Sequence, residues 1–367
     1  MKTIKSLVAL VLCALMIFSL TACHKENEIG VSINGVEFTA AMYSYALLNA
    51  DMEAKNIVEE QLHEGETDEQ KATEHDHGDV DYFAQKIEDL PYAEWVETRA
   101  AKELSRYAAI GTLCKENNIT LTDEEKKAAR EDGVNEYANA EYYYGIPYSL
   151  NGIGEETLVK IMEYSYLANK YFTFVYGKDG SKAVPEEEIK KYYTENYRVA
   201  IMFEKDVTNL SDDELKKAKT ELEDWKKKID GGKNLAEAFN EFYELNEQTA
   251  AAGYAPVKET KECATYLADT SVDSSYGVSY WNDVKDIAVG KSKIIEVEEN
   301  GAKKLELIAV IDSFGEEEYL TNRDSIIRIN LKSEEFDEEI EKYAATFTVK
   351  KNDYALKPFK VKKIKYE

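Results

Sequence analysis

Histidine is scarce and stops early. The chain's four are His24, His63, His75 and His77, so residues 78 to 367 contain none. Across that stretch neither a Ser-His-Asp order nor a His-Glu-x-x-His pattern can be written. A glycine-rich phosphate cradle is missing too, so hydrolase and nucleotide-dependent chemistry have no residues to name. Cysteine is equally rare: Cys13 lies inside the leading apolar run and Cys23 just after it, leaving Cys114 and Cys263. Two thiols are no disulfide framework. Cys114 continues the helical series Val96, Ala100, Leu104, Tyr107 and Ile110, which makes it a core residue; a reactive thiol and a Cys114 to Cys263 bridge stay open as alternatives. Basic residues are outnumbered, 46 Lys and Arg against 72 Asp and Glu for a net charge of -26. That balance repels phosphate backbones and argues against nucleic-acid partners. It suits basic partners or cations, or is simply a solvated surface.

Long apolar runs are also lacking. The longest, Leu7 to Leu20, has 14 residues, short of the ~20 that a membrane-spanning helix needs. Lys2 and Lys5 precede it and Leu20-Thr21-Ala22-Cys23 follows it, the pattern of a secretory signal ending in a lipobox. Residues 1–22 are expected to be removed and Cys23 to carry a diacylglyceryl anchor. Two acyl chains suffice to hold a soluble domain at a membrane. An ordinary secreted protein cut near Ala22 is the alternative. The expected location is the extracytoplasmic face of the cell membrane, of Gram-positive type. Losing Lys2 and Lys5 leaves 44 basic against 72 acidic residues, a charge of -28 on 345 residues, enough for two or three domains.

After a tether over 23–29, Asn34-Gly35 between Val31-Ser-Ile and Val36-Glu-Phe38 predicts two short strands around a tight turn. Thr39 caps a helix carrying Met42, Tyr45, Ala46 and Asn49 along one side and fading after Val58. A polar, flexible insertion is expected over 60–81. Helices follow at about 92–115, at 122–142 behind the capping box Thr122-Asp-Glu-Glu125, and at 155–176. The last is apolar around so much of its circumference that it is expected to pack between other helices. Pro185 is expected at the first position of a further helix. Strand Val199 to Phe203, a helix behind Ser211-Asp-Asp-Glu214, a helix from Asn234 burying Leu235, Phe239, Phe242 and Leu245, a loop, and two strands around Gly301 make a compact α+β module. A helix through Phe336, Ile340 and Tyr343 and a β-prone tail over 346–366 complete the chain.

The lipobox, the Ile33-Asn34-Gly35-Val36 opening, the Asn118-Ile119 to Glu125 step and Val184-Pro185 through Asn196 together resemble PrsA-like foldase lipoproteins and the related SurA chaperones. The resemblance spans nearly the whole chain after Cys23. It implies an α+β, mainly helical fold, with a helical chaperone domain built from both chain ends, 30–196 and 316–367, around an inserted parvulin-like module at 197–315. Family prolyl isomerases use a histidine pair on the central strands with a neighbouring Cys or Asp. Here those strands offer Val199 to Phe203 and Leu305-Glu306-Leu307 instead, so the module is expected to keep the fold without turnover. Cys263 is a weak candidate relic of the Cys or Asp position.

Two further groups compete with plainer explanations. His63, His75 and His77, with Asp76, Asp79 and Asp81, form a weak metal-site candidate, for which a polar linker is the alternative; no cofactor is called for. Tyr142, Tyr143, Tyr144 and Tyr148 beside Gly145-Ile-Pro147 are peptide-binding candidates, since tyrosine offers a large contact area at low entropic cost; core packing is the alternative for each. Three functions follow: a chaperone holding unfolded or partly folded exported proteins in a cleft, an active peptidyl-prolyl isomerase, or a ligand- or metal-binding surface lipoprotein. Because the acyl group is the only attachment expected, Cys23→Ser and a form starting after Cys23 should both leave the membrane fraction. Retention of either under high salt contradicts the anchor.

Overall fold

The computed structural model describes residues 26–63, 80–251, 253–299, 301–313 and 316–366. The lipobox with Cys23 and the histidines His24, His75 and His77 lie outside them. The chain divides into two compact units, one of residues up to Val175 together with Glu334 onward, the other Tyr176–Ser333. The division differs from the expected breaks at 197 and 316, because the helix after Pro185 packs with the second unit through Ile189 and Tyr193. Among the described residues no helix is long and apolar enough to cross a membrane.

In the first unit, strands β1 (Ile29–Ile33) and β2 (Val36–Thr39) pair antiparallel around the Asn34-Gly35 turn, with Ile33 opposite Val36. Strand β10 (Val349–Lys351) comes from the far end of the chain and adds antiparallel to β1, Val31 opposite Lys351 and Ile33 opposite Val349. Helix α1 (Ala40–Leu62) starts where Thr39 Oγ1 accepts the Met42 N–H at 3.2 Å. It runs four residues past Val58. Its burial extends around much of the helix to Tyr43, Leu47 and Leu48, beyond the single stripe read from Met42 and Ala46. Helix α2 (Tyr92–Glu116) buries Val96, Ala100, Leu104 and Ala108 in the same core. Helix α4 (Glu155–Tyr176) bridges two clusters, Ile161 joining the core of α1 and α2 while Leu158 packs with Leu48, Ala140 and Tyr148.

The carboxy-terminal tail has less strand than its composition suggests, only β10 among the described residues after 346. Side chains hold the rest in place. Asn151, 7% exposed, accepts the Lys365 N–H at 3.0 Å and donates to the Lys365 carbonyl at 2.8 Å, standing in for a neighbouring strand. Asp51, 3% exposed, accepts Tyr366 Oη at 2.6 Å and Tyr92 Oη at 2.9 Å. Lys55 Nζ lies 3.4 Å from Asp51 and 3.4 Å from the centre of the Tyr366 ring.

The second unit is built on a five-stranded sheet ordered β7-β6-β5-β9-β8. Helix α5 (Glu186–Asn196) leads into β5 (Tyr197–Asp206), and Pro185 is its N-cap instead of its first residue, with ψ 140° outside the helical range. Next come α6 (Asp212–Asp230), opened by the Ser211/Glu214 capping box, and α7 (Leu235–Phe242). Leu245 lies beyond the end of α7 and not on its buried face. The segment expected as a loop instead holds β6 (Ala264–Asp269) and β7 (Gly277–Val278), ahead of the hairpin β8 (Ser292–Glu299) and β9 (Ala302–Ile311). β5 and β9 pair antiparallel from Val199 opposite Ile311 to Asp206 opposite Lys304.

Strand alternation gives the sheet two apolar faces. Ile201, Phe203, Leu305 and Leu307 lie with Leu222 and Trp225 of α6. Ala200, Ile308 and Val310 lie with Trp281 and Val284 on the other side. Helix α8 (Glu316–Ala344) sends Arg328, 6% exposed, to the carbonyls of Tyr176 at 3.0 Å and Val184 at 3.2 Å.

Replacing Asn151 by Ala leaves the Lys365 N–H and carbonyl without their buried partner. It should destabilise the first unit by about 1–3 kcal/mol, read from denaturant unfolding. An unchanged midpoint contradicts the role given to Asn151.

Candidate functional site

Helix α3 (Asp123–Tyr143) begins with both arms of a capping box, Thr122 Oγ1 accepting the Glu125 N–H at 3.2 Å and Glu125 Oε2 accepting the Thr122 N–H at 2.7 Å. The helix is polar, and its buried residues are Ala129, Gly133 and Ala140. At Gly133 a Cβ would meet the Val159 backbone at 2.6 Å, so the missing side chain lets α3 lie directly on α4. The helix stops at Gly145, whose φ of +63° an L side chain resists, and the Ile146 N–H returns to the Ala140 carbonyl at 3.0 Å.

This stop sorts the tyrosines. Tyr142, Tyr143 and Tyr144 are 80%, 70% and 74% exposed, with Tyr142 and Tyr143 edge to face at 4.7 Å between ring centres. Leu150 nearby is 46% exposed. Tyr148 corrects the sequence reading. It is 3% exposed, its ring 5.9 Å from Tyr45 and stacked 6.2 Å from Tyr137, and burial pushes its hydroxyl well above the usual tyrosine range. It is a wedge that fixes the turn, and the exposed tyrosines are the run before it. Each aromatic pair of this kind contributes about 0.5–1.5 kcal/mol beyond its buried area. Isolated tyrosines are ordinary on surfaces; three adjacent ones at a helix end form a large aromatic patch with polar tips.

The second unit carries a different polar centre. On β9, Glu306 is 4% exposed and accepts Tyr280 Oη at 2.8 Å. Burial, reinforced by Glu204 and Glu299 and opposed by the Tyr280 hydrogen bond and Lys304, raises the carboxyl above its ordinary range. Glu204 stands opposite Glu306 in the β5 to β9 register and pairs with Lys304 Nζ at 2.9 Å. A side chain that sequence reasoning noted only as occupying an expected histidine position is thus a buried acid with a tyrosine donor. Its signal was a lone glutamate between Leu305 and Leu307 in an otherwise apolar strand.

Cys263 packs on the other face of the sheet from Tyr280. It packs half-buried on the Ile201 and Phe203 side of the sheet, its Sγ 3.3 Å from the Thr260 carbonyl, and burial raises its pKa. Tyr280 packs on the opposite side. Cys114 is buried, 3.5 Å from the Leu167 carbonyl, its thiol pushed up to about 11 by burial. Both cysteines are free thiols, so no bridge joins them. His63 caps the end of α1, with its proposed partners His75 and His77 outside the described residues. Among the described residues no three His, Cys, Asp or Glu side chains converge to hold a metal ion.

No protein-family model matches the chain. No curated protein matches it either. Solved structures do resemble it at low identity. The foldase protein PrsA from Streptococcus pneumoniae is 14% identical, with 67% of this chain and 84% of that chain covered and a TM-score of 0.37. PrsA from Lactococcus lactis is 14% identical over 71% and 87% of the two chains, at 0.35. PrsA from Bacillus subtilis is 14% identical over 69% and 85%, at 0.31.

A carboxyl whose pKa is raised by folding costs stability once the pH exceeds its unfolded value. Glu306→Gln keeps an acceptor for Tyr280 and removes the buried charge. The variant should therefore melt higher than the parent at neutral pH, and the difference should shrink as the pH falls toward the ordinary carboxyl range. A gap that widens on acidification contradicts the assignment. Tyr280→Phe, which strips the donor, should destabilise by about 1–3 kcal/mol.

Proposed function

We propose that this chain is a chaperone of exported proteins, anchored by Cys23 to the extracytoplasmic face of the membrane, that holds unfolded polypeptides without consuming a cofactor. The observation that carries this reading is the run Tyr142-Tyr143-Tyr144, exposed at the end of a helix whose other contacts are fixed by Gly133, Ala140 and Tyr148. Large aromatic faces with a hydroxyl at the rim accept many side chains through contact area and leave peptide groups free to bond with water or the rim. That is the chemistry of sequence-tolerant holding. A rigid turn beneath the patch lowers the ordering cost of each contact.

Glu306 and Tyr280 favour a second reading, prolyl isomerisation by a buried acid and a tyrosine in place of a histidine pair. Twisting a prolyl amide crosses a barrier of ~18–20 kcal/mol. An enzyme would need fixed donors aimed at the twisted amide, and Tyr280 Oη is already engaged by Glu306. We therefore rank holding above turnover.

The test uses the full chain in micelles. The Tyr142→Ala, Tyr143→Ala, Tyr144→Ala triple variant should keep the parent melting temperature, because the rings are exposed, and lose most suppression of client aggregation. Undiminished suppression overturns the reading. Xaa-Pro exchange accelerated by the parent and abolished by Glu306→Gln would place the isomerase reading first.

A further inference from the structure

The aromatic patch sits in a stretch of one charge sign. From Glu131 to Val159 the sequence has no Lys or Arg and six acids, Glu131, Asp132, Glu136, Glu141, Glu155 and Glu156. Helix α3 starts with Asp123, Glu124 and Glu125 in its first turn and has no basic residue in its last. Basic side chains usually offset the partial negative charge at a helix carboxy terminus, so at Tyr142 and Tyr143 that end is left without a cation from its own last turn. Arg130, the nearest basic residue before the patch, is engaged with Glu156 near the other end of the helix, bonded through Nη1 at 3.1 Å. Three exposed aromatic faces therefore stand at the negative end of a dipole, next in sequence to Glu141.

We propose that the patch is a cation-selective aromatic site, and that the segments it holds are unfolded stretches carrying lysine or arginine beside apolar residues. The inference rests on the peptide-binding reading above and deepens it by naming the ligand chemistry. An ammonium or guanidinium group is drawn to the face of a tyrosine ring, and here the helix end and the neighbouring Glu141 add attraction of the same sign. The apolar stems of Lys and Arg lie along the rings while the charged heads remain hydrated. A neutral peptide gains only the contact area. A membrane surface is the other partner that exposed tyrosines could meet, but anionic headgroups are repelled by the helix end, by Glu141 and by the chain's net charge of -26.

The experiment uses the full chain in micelles and two unstructured Gly/Ser/Leu peptides, identical except that one carries lysines where the other carries glutamines. Titrated by fluorescence anisotropy at low ionic strength, the lysine peptide should bind about fivefold tighter. The advantage should fall at high salt and vanish in the Tyr142→Ala, Tyr143→Ala, Tyr144→Ala variant. Asn139→Lys, exposed and one turn before Tyr142 and Tyr143, should weaken the lysine peptide while leaving the glutamine peptide unchanged. Equal affinity for both peptides would overturn the cation preference and leave the holding function standing. Failure of both to bind would overturn the holding function as well. Tyrosine-dependent sedimentation with anionic vesicles in place of peptide binding would assign the patch to lipid and overturn the inference.

Discussion

The first unit depends on the return of the carboxy terminus to the amino-terminal strands. β1 is paired on both edges, with β2 from its own hairpin and with β10 from more than three hundred residues away. A two-stranded ribbon alone is marginal in water, and the third strand turns it into a sheet that covers the core of α1 and α2. Three backbone pairs are few for such a task, and the tail beyond them has little regular structure. Its anchoring falls to side chains: Asn151 copies a strand edge for Lys365, and Asp51 gathers two tyrosine hydroxyls and Lys55. The tyrosine run shares that frame, since Asn151 Nδ2 also binds the Pro147 carbonyl at 2.8 Å and Ser44 Oγ the Asn151 carbonyl at 2.7 Å. The turn that presents the aromatic rings is thus tied to the tail that closes the unit.

The second unit places a buried acid where a polar centre of another kind was expected. Carboxylates are costly to bury without a cation, and one that persists under burial tends to be neutral over part of the pH range or to be held by strong donors. Glu306 has one tyrosine donor and lies across the strand pair from Glu204, whose charge is shared with Lys304. An apolar cluster covers each face of the sheet around it. The scaffold residues Leu222, Trp225, Phe203 and Leu307 fill one face tightly, so the sheet stands on hydrophobic packing that needs no chemistry at Glu306.

Much of the architecture is legible from local signals. The caps at Thr122 and Ser211 fall where a polar residue and an acid three positions on announce them, the cap at Thr39 rests on its hydroxyl alone, and α2 and α4 follow their apolar periodicity to within a residue. Elements defined by distant partners are harder to read. Ala264 to Asp269 is a short stretch without strict alternation and becomes a strand because β5 lies beside it. Apart from β10, the tail over 346–366 has β-branched residues but no partner strand, so composition overstates its order. Within the candidate site the density of tyrosine is visible in the sequence, but its division is not. Tyr148 and Tyr144 are four residues apart, and only the left-handed turn at Gly145 sends one into the core and leaves the other in solvent.

The central claim is that the carboxy-terminal return holds the first unit together and, through Asn151, supports the aromatic turn. Amide hydrogen exchange of the chain shortened after Ala345 tests it most directly. The account predicts that protection is lost in β1, β2 and the 145–153 turn while the amides of β5 and β9 keep theirs. Unchanged protection of β1 and of the turn in the shortened chain would contradict it.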